Sequence, residues 1–445
     1  MKKNLSTSKF ASFEEFAAYL DGLGLFHMDM GLGRIRAALA ALNLAAPAWL
    51  GVQTVGTNGK GSTSVMLAAL FQSHGFTTGL FTSPHFLSVR ERIRINGAML
   101  PESDWLDAAN AVFAVYDPPG EERLTYFELL TAMAARLFAS HGVTAAVFET
   151  GLGGRYDAAS ALSHSLTVYT PIGEDHKDVL GDNPEKIALD KAGAMRLGVP
   201  AITGPQRPEV LAILRRETQG RNLLLQDRHL IRFAPEIGLI RPCRDAPGPV
   251  IEDIVLGLPG AYQEQNARLA LASFYFLADH KRFPIDPVAV RQAMSRAFIP
   301  GRLQRVRPSG VEAEVILDCA HNLPALAALR QALARDQIEP DAMVFACLRD
   351  KNPQELAPRV LELAQGPIAV PEIDAPGRAM PAAETAAILG ERAVPAAGVP
   401  EALASLSPGA NLILVCGSMY LLAGFFAQWP ETLGLGGDDC LSRTI

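Results

Sequence analysis

The feature that most limits what this chain can become is the run Gly56-Thr57-Asn58-Gly59-Lys60-Gly61-Ser62. A short apolar stretch, Leu50–Val55, precedes it, and a segment of helical character, Ser64 to His74, follows. Gly75 is a natural stop for that helix. Strand, glycine-rich loop and helix in this order form a cradle in which backbone N–H groups face phosphate oxygens and the helix dipole favours the anion. Lys60 would set an ammonium against the β- and γ-phosphates, and Ser62 could offer a hydroxyl to magnesium. The strict Walker spacing fails, because Gly56 lies four residues before Lys60 rather than six and Gly61 stands before Ser62. The plainer reading is a strand-to-helix turn that uses glycine for its dihedrals. A lysine in the crook of that turn favours the phosphate.

The theme recurs. Thr144–Phe148 is a second short apolar run, ending at Glu149 and a glycine cluster, and Ser165–Thr170 is a third, ending at Pro171 and the acidic Glu174-Asp175-His176. Short buried strands separated by helical segments predict an α/β fold with a mostly parallel sheet flanked by helices. Ligands on such sheets gather beyond the C-terminal ends of the strands, and all these polar groups follow their strands. Residues 12–45 carry helical spacing, with Ser12 as N-cap. Further apolar runs at 314–318, 342–346 and 411–415 predict a smaller, Rossmann-like α/β domain. The expected division is 1–298 and 299–445. At 445 residues the chain exceeds one comfortable core. The tail after Trp429, rich in glycine, is expected to be loosely ordered.

Composition removes several function classes. A net charge of −7 leaves no footprint for nucleic acid. No apolar run reaches the ~18 residues of a membrane span, and the two lysines near Met1 lack the apolar region of a signal peptide. Cys243, Cys319, Cys347, Cys416 and Cys440 have no metal-type spacing and read as buried free thiols of a reducing compartment. The chain is expected to be cytoplasmic and monomeric, with small-molecule partners only.

Other candidates are weaker taken singly. Glu149 at a strand end suits magnesium, which takes oxygen from one or two side chains plus phosphate and water; a solvated rim carboxylate is the plain alternative. His176 beside two acids could be a surface residue, and Lys191 an ordinary helix lysine. Ser83-Pro84-His85 ends a strand-like run and is followed by Arg90, Arg92 and Arg94, which could hold substrate carboxylates or form a polar strand face. Asp318-Cys319-Ala320-His321-Asn322 follows an apolar strand, where a ribose site or an Asx-type turn would fit equally.

Taken in order along nearly the whole chain, these segments resemble folylpolyglutamate synthase, the folate branch of the Mur-ligase superfamily, and most closely its bifunctional dihydrofolate synthase form. The resemblance is carried by the Gly56–Ser62 loop, Thr82–His85, Leu124–Glu128, Glu149–Asp157, Asp175-His176 and Asp190–Gly193. It continues through Pro300–Gln304, Asp318–Asn322, Asp350–Asn352 and Val415–Ser418. Gly61 is informative, since cell-wall Mur ligases usually carry Thr or Ser there and the folate branch carries Gly.

The resemblance implies that Thr57, Asn58, Gly59, Lys60, Gly61 and Ser62 bind ATP, with Asn266, Arg302, Asp318 and His321 as further nucleotide contacts. It implies two magnesium ions, one on Ser83 and Glu149 and one on His176, and a Lys191 carboxylated to a carbamate. Lys60, Lys191 and His176 form the implied catalytic set. Asp29, Met30, Gly31, Thr125, Tyr126, Phe127, Glu128, Tyr156, Asp157 and Ala158 match the segments that hold the pterin substrate. The chain departs from the family pattern at Thr170–Glu174, at Leu323 and at Met419-Tyr420. The implied activity is ATP-driven addition of L-glutamate to dihydropteroate, tetrahydrofolate or their polyglutamates through an acyl phosphate, with water excluded from the site. A Mur-type cell-wall ligase and a nucleotide-binding protein without ligase activity are the alternatives.

Overall fold

The structure, a computed structural model, describes residues 9–24, 30–173, 183–218, 223–225, 231–234, 239–242 and 249–435. Two compact units emerge. The first comprises Met1–His85, Val89–Val255 and Asn266–Ala297; the second comprises Phe86–Ser88, Leu256–Gln265 and Phe298–Ile445.

The first unit is built on β1 (Leu50–Val55), β2 (Thr78–Phe81), β3 (Ile93–Ile95), β4 (Ala98–Met99), β5 (Ala145–Glu149), β6 (Leu166–Tyr169), β7 (Ala201–Thr203) and β8 (Leu223–Leu225). They form one sheet in the order β4-β3-β2-β5-β1-β6-β7-β8. β2, β5, β1, β6, β7 and β8 run parallel, while β3 pairs antiparallel with β2 and β4 antiparallel with β3 at one edge. β5 and β6 are buried along their whole length and β1 from Gly51 onward. Continuous burial is what parallel strands covered by helices on both faces require, and it explains the unbroken apolar runs.

The core beside β5 is aromatic. Phe148 meets Phe138 at 5.5 Å and Phe81 at 6.0 Å between ring centroids. Truncating such a fully buried ring to Ala costs about 3–5 kcal/mol. The helix Lys60–Ser73 begins earlier than its apolar spacing indicates, because Gly59, at φ 86, supplies a left-handed turn directly before Lys60. The helical spacing at 12–45 resolves into Phe13–Gly22, capped by Ser12, and Gly33–Ala41. The helix Tyr126–Ser140 opens on a capping box between Thr125 and Glu128.

A separate antiparallel pair, β9 (Ile231–Ala234) and β10 (Leu239–Pro242), follows in the chain. The second unit carries a six-stranded sheet in the order β11-β12-β16-β13-β14-β15. Its strands are β11 (Gln304–Val306), β12 (Glu314–Asp318), β13 (Ala342–Phe345), β14 (Ile368–Pro371), β15 (Ala393–Ala396) and β16 (Leu412–Cys416). Only β11 is antiparallel to its neighbour. Of the tail after Trp429, residues 430–435 are ordered, and residues 436–445 lie outside the described residues. Leu433 and Leu435 are buried, and the Thr432 carbonyl accepts from Gln304 Nε2 at 2.6 Å. Two leucines in the apolar core outweigh the turn-forming residues between them.

Candidate active site

The site grows from the end of the central strand. β1 pairs with β5 so that Thr54 stands opposite Glu149, and with β6 so that Val55 stands opposite Tyr169. Three parallel strands therefore finish side by side. Gly56 leaves β1 at φ 156, and a Cβ there would overlap Thr170 Oγ1. A Cβ on Gly59 would likewise overlap Asn266 Oδ1, so the loop is glycine-rich at the two points where neighbours press on it. The segment after β6 braces the loop. Thr57 N donates to the Pro171 carbonyl at 3.0 Å, while Thr57 Oγ1 donates to Gly173 O at 3.0 Å and accepts from Gly173 N at 3.1 Å. Lys60 Nζ folds back onto the Thr57 carbonyl at 3.2 Å. Gly61 and Ser62 lie in the first helical turn, with Ser62 buried.

Beside the loop, the backbone N–H of Ser83 donates to Glu149 Oε2 at 3.1 Å. This brings a hydroxyl-bearing residue to a buried carboxylate, the hard-oxygen pair that magnesium takes. Among the described residues no three His, Cys, Asp or Glu side chains cluster as a metal cage. A metal here would be completed by phosphate and water. Arg92, buried, donates from Nε to His85 Nδ1 at 2.8 Å and lies over the Tyr126 ring at 5.3 Å. Burial first, and then the Arg92 charge, hold the His85 imidazole down at about 3, so it stays a neutral acceptor. Arg90 is spent on the Leu100 carbonyl and Glu102.

The glycine loop after β5 is fastened to the helix Pro184–Ala192. Arg155 N donates to Asp190 O at 3.0 Å, and a Cβ on Gly154 would lie 2.6 Å from the Lys191 carbonyl. Lys191 itself is buried, and its Nζ donates to the Gly56 carbonyl at 2.8 Å. Asp157 accepts three backbone N–H groups, from Gly151 at 2.8 Å, Leu152 at 3.2 Å and Ala159 at 2.9 Å. Burial pushes its carboxyl up to about 7 although these donors and Lys60 work the other way. Ala158 is buried next to it, and Tyr156 is half exposed.

Of the remaining pterin candidates, Phe127 packs on Phe81 at 5.3 Å and fills the space where a Gly151 side chain would stand. Glu128 closes the capping box and pairs with Arg34 Nε at 3.1 Å. Met30 is exposed and Gly31 adopts φ 131. Asp29 and His176 lie outside the described residues.

In the second unit, Asp318 at the end of β12 is buried and committed internally. Oδ2 accepts from Leu303 N at 2.9 Å and from the Tyr262 hydroxyl at 3.3 Å, and Oδ1 accepts from Ala320 N at 2.9 Å. Burial raises its carboxyl, opposed by the neighbouring Arg302. His321 Nδ1 bonds the Cys319 carbonyl at 2.7 Å. Cys319, Cys347 and Cys416 are buried free thiols; Cys243 and Cys440 lie outside the described residues.

Three participants in these contacts escape sequence reasoning: Thr170 against Gly56, Arg34 on Glu128, and Tyr262 on Asp318. Only the departure from the family pattern at Thr170 signalled any of them. No helix of the described residues is long and apolar enough to cross a membrane.

A phosphate-type loop at the end of the central parallel strand, a carboxylate at the end of the neighbouring strand and a buried helix lysine bonded to that loop, with a second α/β unit, mark a nucleotide-using α/β ligase. No family model matches the sequence. The chain is 32% identical to the dihydrofolate synthase/folylpolyglutamate synthase of Bacillus subtilis over 370 residues, 80% of this chain and 84% of the relative. Escherichia coli FolC in complex with DHPP and ADP superposes with a TM-score of 0.81 at 27% identity, covering 94% of this chain and 97% of that one. The bifunctional enzyme of Yersinia pestis, complexed with AMPPNP and Mn ion, gives 0.83 at 28% identity, covering 95% and 99%. The chain belongs to the dihydrofolate synthase/folylpolyglutamate synthase family and is an ATP-dependent glutamate ligase of folate metabolism.

Proposed function

We propose that the first unit binds the ATP phosphates on Thr57–Ser62, and holds a pteroate or folate acceptor between Thr125–Glu128, Tyr156–Ala158 and the Asp29–Gly31 segment. The observation that carries this reading is the convergence of Gly56, Glu149 and Lys191, joined by the 2.8 Å bond from Lys191 Nζ to the Gly56 carbonyl. In the reaction, an acceptor carboxylate oxygen attacks the γ-phosphorus and ADP leaves with the bridging electrons. The amine of L-glutamate then adds to the acyl phosphate carbonyl, loses a proton, and expels inorganic phosphate as the amide forms.

Phosphoryl transfer asks the protein for positioning and charge neutralisation rather than covalent chemistry. Lys60 supplies an ammonium at the start of its helix, and the loop supplies N–H groups. Glu149, Ser83 and His176 are the residues that would hold two magnesium ions, which would neutralise phosphate charge there. Lys191 is carboxylated in this reading: its neutral amine adds to carbon dioxide, a proton is released, and the carbamate keeps one N–H. That N–H preserves the bond to Gly56, while the new anion can approach a cation that an ammonium would repel. Asn266, pressed on Gly59, is the nucleotide contact offered by the first unit, and Arg302, Asp318 and His321 are those proposed for the second.

The acceptor is dihydropteroate as well as a folate already bearing glutamate, and the enzyme acts as a cytoplasmic monomer. Purified protein with ATP, magnesium and glutamate is expected to release ADP only when dihydropteroate or tetrahydrofolate is added. Release with UDP-muramyl acceptors instead, or ATP binding with no acceptor-dependent turnover, would refute the assignment.

A further inference from the structure

The first unit has an open cavity of about 470 Å³ lined by Arg36, Leu39, Ala45, Ala161, Arg196 and Leu197. None of these belongs to the phosphate loop or to the metal and lysine set. Arg36 projects from the exposed side of the helix Gly33–Ala41, whose Leu39 is buried. Arg196 follows the Lys191 helix, and one of its terminal nitrogens donates to the Ser160 carbonyl, which anchors the guanidinium at the cavity wall. Burial and the nearby Arg36 both disfavour the charge on Arg196. Among the described residues no carboxylate pairs with either arginine. Among the described residues, two like charges are thus held on one concavity without a paired carboxylate, in a chain whose net charge is −7.

The walls between them are apolar, and Leu197 stands fully exposed at the rim. A lone exposed leucine is ordinary, but one beside an uncompensated arginine pair in a cavity of ligand size forms an amphipathic site. Guanidinium forks match carboxylate and phosphate oxygens two at a time, and an anion between them removes their repulsion.

We propose that this cavity binds a small organic anion, a carboxylate or a phosphate ester carried on an apolar body, with Arg36 and Arg196 on the anionic end and Leu39 and Leu197 on the other. The site is separate from the ligase reading and stands or falls without it.

The full-length chain is titrated with 4-fluorobenzoate, 4-fluorophenyl phosphate and neutral 4-fluorobenzamide as probes, each followed by 19F line broadening. At least one anionic probe should bind, and which one does identifies the headgroup; the amide should not. Arg36→Met should weaken that binding at least tenfold, as should Arg196→Met, while Lys60→Ala leaves it unchanged. Because Arg196 also bonds the backbone, Arg36→Met decides the matter should the other variant misfold. Binding unaffected by Arg36→Met, binding abolished by Lys60→Ala, equal binding of the amide, or no binding of either anion would each overturn the proposal.

Discussion

Lys191 Nζ and the Gly56 carbonyl, 135 residues apart in sequence, are joined by a hydrogen bond of 2.8 Å in the interior of the first unit. The residue that looks most like an ordinary helix lysine is thereby tied to the first residue of the phosphate loop. Its side chain is buried, and its Nζ reaches the loop's backbone at the end of the central strand.

Lys191→Ala is expected to lose at least 100-fold in kcat with little change in the far-ultraviolet circular dichroism spectrum. Lys191→Arg should fail equally, since a guanidinium keeps its charge and forms no carbamate. Added bicarbonate should raise the activity of carbon dioxide-depleted wild type, and 13C NMR with labelled bicarbonate should show a carbamate resonance absent from Lys191→Ala. A Lys191→Ala enzyme of normal kcat would remove the carbamate from the mechanism.

Gly59→Ala tests the loop. The new Cβ would sit at φ 86 and overlap Asn266 Oδ1. A left-handed alanine costs about 1–2 kcal/mol before that overlap is counted. ATP affinity measured by calorimetry should fall at least tenfold; unchanged affinity would mean that the loop does not cradle phosphate in this conformation.

The Arg34–Glu128 pair tests the acceptor site. Both side chains are largely buried, at 14% and 7% exposure. Removing one partner of such a pair leaves the other charge desolvated and costs about 3 kcal/mol. Glu128 also caps the helix behind Thr125–Phe127, so Arg34→Met should raise KM for dihydropteroate several-fold while KM for ATP stays within twofold. A parallel rise in both would reduce the pair to a purely structural role.

How much of this was legible follows from where each signal lies. The Gly56–Ser62 loop, the strand end at Glu149 and the alternation of strands and helices are local patterns, and local patterns survive in a sequence. The bracing of Thr57 by Gly173, the pressure of Thr170 and Asn266 on the two glycines, and the Arg34–Glu128 pair are contacts between distant segments. Nothing near those residues announces them. Arg90 and Arg92 were legible as basic residues, but their partners, Glu102 and His85, depend on how the chain turns after β2. The order of residues 430–435 was hidden because two leucines count for little in composition and for much once buried.

Acid stability offers an independent check on the first unit. His164 is buried, its Nε2 bonds the Ala159 carbonyl at 2.7 Å, and Nδ1 has no partner. Burial holds its pKa down at about 4. The unfolded imidazole takes a proton near its ordinary 6.5, so between these values the unfolded state binds more protons than the folded one. The stability present above pH 6.5 is therefore lost as pH falls towards 4, by up to about 3 kcal/mol. His164→Gln should show a smaller drop in Tm between pH 7.5 and pH 5 than wild type; an identical drop would assign the acid sensitivity elsewhere.

Glutamate ligation through an acyl phosphate is read directly by isotope transfer. Dihydropteroate carrying 18O in its carboxylate is incubated with the enzyme, MgATP and L-glutamate, and the released phosphate is analysed by mass spectrometry. Each inorganic phosphate should carry one 18O and form in step with ADP and dihydrofolate. Unlabelled phosphate, or ADP released without an amide product, would contradict it.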